Sequence, residues 1–113
     1  MGRERIVQGG DGDRQITSTP KRGPGKAFYE YAIKVAGKVA AAIIFQKGCA
    51  RRKGWNGCTD ADLIDVEIDR FKGFQTGPDK CDENRRILRH LDQIKKLMKK
   101  REERVTGITK ENR

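Results

Sequence analysis

Residues 48–58, GCARRKGWNGC, gather two of the three cysteines, three cations and the single tryptophan of a 113-residue chain. Cys49, Cys58, Cys81 and His90 are the only thiol and imidazole groups present, and together they form a Cys3His set of the kind that holds structural zinc. Their spacing argues against it. Zinc knuckles bring paired ligands two to four residues apart, whereas both pairs here are nine apart. On a continuous helix Cys81 and His90 would also point about 180° apart. No cofactor is therefore expected, with that zinc set as the residual possibility. A disulfide between Cys49 and Cys58 would close the loop, but it would not persist in a reducing compartment.

Catalysis has little support. No motif relates the one histidine to a cysteine, and Gly23-Pro24-Gly25-Lys26 lacks the spacing of a phosphate-binding loop. The carboxylates Asp60, Asp62, Asp65, Glu67 and Asp69 lack the calcium-loop pattern and its glycine. No catalytic residue is assigned, and the chain is read as a non-enzyme.

The basic loop is the more informative feature. Arg51, Arg52 and Lys53 stand beside Trp55, which places phosphate-neutralising charge next to a stacking surface. Single-stranded nucleic acids are gripped in this way. A second group, Lys95, Lys96, Lys99 and Lys100, continues into Arg101 and Arg104. With 26 cations against 16 anions, the chain carries a net charge of +10. Such a surplus attracts polyanions. The negative stretch is residues 59–79, with two cations and six anions; set against the last helix, it would neutralise part of that second group.

These residues must be positioned by few elements, because only 35% of the chain is hydrophobic and 37% is charged. Phe28, Ala32, Val35, Val39 and Ile43 recur at helical spacing in an alanine-rich segment, which predicts a helix over 26–47. Ile87, Leu91, Ile94 and Met98 predict a second helix over 80–104, with acids at its start and cations at its end. Between them, Thr59-Asp60-Ala61-Asp62 resembles a helix start, while 64–69 alternates as a strand would.

The expected fold is mainly α: two longer helices and a short acidic helix, preceded by an extended basic arm. The alternative is α+β, with 62–71 as a strand. In domain terms this gives a flexible or partner-bound arm over 1–25, rich in Gly and Pro, a single helical domain over 26–107 and a tail over 108–113. The N-terminus shows no apolar signal core, Ile6 stands where a myristoylation site wants Ser or Thr, and residues 39–45 are too short to span a bilayer. A soluble, intracellular protein in the cytoplasm or nucleus, without membrane attachment, is expected.

The functional expectation is a small basic RNA- or single-stranded-DNA-binding protein, or a ribonucleoprotein-associated one. It would act through backbone electrostatics, with Arg51, Arg52, Lys53, Trp55, Lys95, Lys96, Lys99 and Lys100 as its contact residues. The alternative is a protein-interaction module, such as an assembly subunit, adaptor or inhibitor. It would offer the row Ile87, Leu91, Ile94 and Met98 to a partner helix or a second copy.

Overall fold

The computed structural model describes residues 4–9 and 13–106. The expected tail over 108–113 and the first three residues of the expected arm lie outside them. The chain divides into two compact units, Met1–Thr59 and Asp60–Arg113.

The first unit is a four-stranded antiparallel sheet in the order β1 (Arg5–Gln8), β2 (Arg14–Ser18), β3 (Glu30–Val35) and β4 (Lys38–Ile44). The mainly α expectation is thus wrong. The segment read as a helix over 26–47 is chiefly a β-hairpin, and the segment read as an arm supplies two strands. The physical reason lies at Ala36-Gly37. Both residues have positive φ, 52° and 78°, and they join the paired residues Val35 and Lys38 as a two-residue loop. Turns of this hand match the twist of the flanking strands. Gly37, which would have cost stability inside a helix, is here at its natural place. The i, i+4 row that suggested a helix arises because residues on two strands are counted through the turn. A bulge opposite Ile33 and Lys34 further blurs the strand alternation of β4.

Cross-strand register sorts the side chains by face. Ile16, Ile33 and Ala41 lie in register with one another, and so do Ser18, Tyr31 and Ile43. They share a face on which the Tyr31 and Phe45 rings meet edge-on at 5.8 Å. The other face is mixed, with Thr17 in register with Ile6, Ala32 and Ala42. Glu4 accepts hydrogen bonds from Thr17 Oγ1 at 2.8 Å and Lys34 Nζ at 2.6 Å. The most deeply buried side chains are the hydroxyls of Thr17 and Ser18, each only 2% exposed. Ser18 accepts from Arg5 Nε and donates to the Thr19 carbonyl, so its burial leaves no polar atom unpaired.

The second unit is a helical hairpin of α2 (Asp60–Phe74) and α3 (Asp82–Thr106). Helix rather than strand over 62–71 follows from the half-buried row Ala61, Ile64, Ile68 and Phe71. The turn between the helices is fixed by two amides. Gln75 Oε1 accepts from the Cys81 amide and from Asn84 Nδ2, and Asn84 Nδ2 also donates to the Asp79 carbonyl. Asn84 is correspondingly buried. Asp65 pairs with Lys95, so the acidic segment does neutralise part of the basic helix. That pairing sets the start of α2 opposite about residue 100, at the common rise of both helices. The last turns of α3, with Arg101 and Arg104, therefore extend beyond α2. No helix among the described residues is long and apolar enough to cross a membrane.

Candidate nucleic-acid interface

The loop after β4 is closed by side-chain amides, with no covalent link. Cys49, Cys58 and Cys81 are all free thiols. Gln46 sits at the start of the loop and reaches across it. Its Nε2 donates to the carbonyls of Gly48 and Gly54, at 3.3 and 2.9 Å. Its Oε1 accepts from the amides of Asn56 and Gly57, at 2.9 and 3.2 Å. Asn56 answers from the other side: its Oδ1 accepts from the Lys47 amide at 2.7 Å, and its Nδ2 donates to the Lys47 carbonyl at 2.9 Å. The loop ends are then sewn to the sheet. The Cys58 amide donates to the Ile44 carbonyl, and the Gln46 amide donates to the Cys58 carbonyl, making a parallel bridge at the outer edge of β4.

Gly57 is required at this seam. A Cβ there would sit 2.5 Å from the carbonyl carbon of Phe45 and 2.6 Å from the oxygen of Ile44, both backbone atoms that cannot give way. Compact loops of this kind, with close ends and internal side-chain bonds, present residues on a fixed frame.

The frame presents cations and one ring. Arg51, Arg52 and Lys53 lie on a single helical turn, α1 (Ala50–Lys53), closed by the Gly54 amide donating to the Ala50 carbonyl. All three are exposed. Trp55 follows at 74% exposure, the highest among the exposed large hydrophobic residues. Among the described residues it packs on no other ring, and no cation stacks on it. Its alternative place, folded onto a core, is not the one it takes. The structure thus brings Arg51, Arg52, Lys53 and Trp55 together on one loop.

Lys95, Lys96, Lys99 and Lys100 all lie on α3, in the other unit. Lys95 is engaged by Asp65, and Lys96 by Asp92 at 3.1 Å. Lys99 and Lys100 are exposed and form no ion pair among the described residues. The row Ile87, Leu91, Ile94 and Met98 is split: Leu91 and Met98 are half-buried, while Ile87 and Ile94 stay exposed with Leu97.

For the zinc set, no group of three or more His, Cys, Asp or Glu among the described residues could hold a metal ion.

Sequence reasoning found the exposed loop residues but missed Gln46 and Asn56, which hold them. The signal was faint: Gln46-Lys47 and Asn56 directly precede the two Gly-Cys pairs at the loop ends. No protein-family model matches the chain, and the search of curated proteins found no similar sequence.

Proposed function

We propose that this protein binds single-stranded nucleic acid, RNA or DNA, without catalysis. The loop over 47–57 is its principal contact, and Lys99 and Lys100 of α3 are a secondary one. The observation that carries this reading is Trp55. A large apolar ring held in water is costly, and the amide clamp of Gln46 and Asn56 keeps its loop from folding away. A base that stacks on the ring recovers the loss, and every base has a face to stack. Arg52 and Lys53 then neutralise the adjoining phosphates and release their counterions. The reading is one of backbone and stacking, so little sequence preference is expected. Because Trp55 is the sole tryptophan, its fluorescence reports the loop alone. Quenching by a ten-nucleotide oligothymidylate, weakened by added salt, is the test; no quenching at low salt overturns the proposal.

A second reading is favoured by the exposed Ile87, Ile94 and Leu97 along α3. Seven- and three-residue spacing makes them a seam for a partner helix, and a second copy of this chain would supply one. Sedimentation velocity over a hundredfold concentration range is expected to show a rising average mass that Ile94→Lys abolishes. A constant monomer mass contradicts self-association.

A further inference from the structure

The sheet unit contains a second cationic feature, away from the loop tip. A groove of about 500 Å³ opens at one end of the sheet, between the β2–β3 connection and the residue that leads from β4 into the loop. Thr19, Lys21, Arg22, Tyr29, Glu30 and Lys47 contribute to its walls. Two of its cations are held in place. Arg22 donates to the Lys26 carbonyl at 2.8 Å, with its guanidinium 4.7 Å from the Phe28 ring centre, whose other cationic neighbour is Arg5 at 3.6 Å. Lys47 is anchored through its own backbone to Asn56 and leans towards Glu30, with an Nζ to carboxylate distance of 3.5 Å. That separation is long for a charge-assisted bond, which leaves the ammonium able to serve another oxygen.

We infer that this groove is a binding site for a phosphate monoester, the terminal phosphate of a nucleic-acid strand. Lys21, Arg22 and Lys47 against Glu30 leave a local charge of +2. A phosphomonoester carries about −1.5 to −2 at neutral pH, so it matches the groove, whereas an internal diester, with one charge, leaves half of it unbalanced. Lys47 is shared: its backbone closes the Trp55 loop and its side chain lines the groove. A strand whose bases stack at the loop can therefore deliver its end to the groove. Only this choice of source rests on the nucleic-acid reading; the phosphate chemistry stands on the groove alone.

Two arms separate these. In the first, the nitrogen-15-labelled full chain is titrated with inorganic phosphate at constant ionic strength. Saturable shifts are expected at the amides of residues 21–23 and 47, and they should vanish in the Lys21→Ala/Lys47→Gln double variant, whose spectrum also reports whether it is folded. In the second, ten-nucleotide single-stranded DNA with and without a 5′-phosphate is compared by Trp55 fluorescence. The phosphorylated strand should bind about tenfold tighter, the gain of one good charge-assisted contact, and in the variant the ratio of the two affinities should fall to about one. Absent phosphate shifts, or shifts that persist in the variant, overturn the groove even if oligonucleotides bind. Phosphate shifts without any Trp55 quenching overturn the loop as nucleic-acid interface and leave the groove intact. Phosphate shifts with equal affinity for both strands overturn the strand end as the source.

Discussion

Replacing Trp55 by alanine removes a ring that no other ring covers, on a loop whose hydrogen bonds do not involve the indole. The thermal midpoint should therefore stay within about a degree of the parent, since surface changes away from packing cost little. Affinity for a single-stranded oligonucleotide should fall at least about tenfold, because one stacked base contributes about 1–3 kcal/mol. Fluorescence anisotropy of a labelled oligonucleotide checks the affinity, and a thermal melt checks the fold. A different single residue contributes to acid sensitivity. Glu4 lies below the ordinary carboxyl range, because Lys34 and Thr17 hydrogen-bond its charged form. A depressed folded pKa means that its contribution to stability is present above the unfolded value, near 4.5, and is lost as pH falls through the lower folded value. A carbon-detected titration should place Glu4 below 4.5 in the parent and return it upward in Lys34→Met. An unchanged midpoint in that variant contradicts the assignment.

At the level of elements, the β3–β4 hairpin turns on Ala36, which holds a left-handed conformation that alanine tolerates poorly. Asn-Gly is the preferred pair for such a turn, so Ala36→Asn should stabilise the sheet unit by about 0.5–1 kcal/mol, read as a higher midpoint in urea. A lower midpoint would contradict the turn geometry.

The same hairpin explains what the sequence concealed. Alanine abundance and an apolar row at four, three and four residues favour a helix on local grounds. Only the pairing of β3 with both β2 and β4, a non-local fact, makes strands of them. The two helices of the hairpin unit were legible because their signals are local: acids at the start, cations at the end and a periodic apolar face. The candidate loop was legible in its tip and illegible in its frame. Cations beside a tryptophan are visible in any order of residues. That Gln46 and Asn56 would clasp each other's backbone depends on β4 and Cys58 lying side by side.

For the whole molecule, the decisive quantity is the charge of +10. Lys34, Lys47, Arg85, Lys95 and Lys96 are engaged in ion pairs, whereas Arg52 and Lys53 of the loop are exposed. The surplus on the loop is therefore directed outward, and its effect on binding must be salt-dependent. The most direct measurement is the affinity of the full chain for single-stranded DNA across a range of salt, in the parent and in Arg51→Ala/Arg52→Ala/Lys53→Ala. The logarithm of the association constant should fall linearly with the logarithm of salt concentration, and the slope should drop by about 1.4 in the triple variant, the loss of the Arg52 and Lys53 contacts at about 0.7 per phosphate contact on a single strand. A parent that does not bind at low salt, or a slope that the triple variant leaves unchanged, would contradict the account.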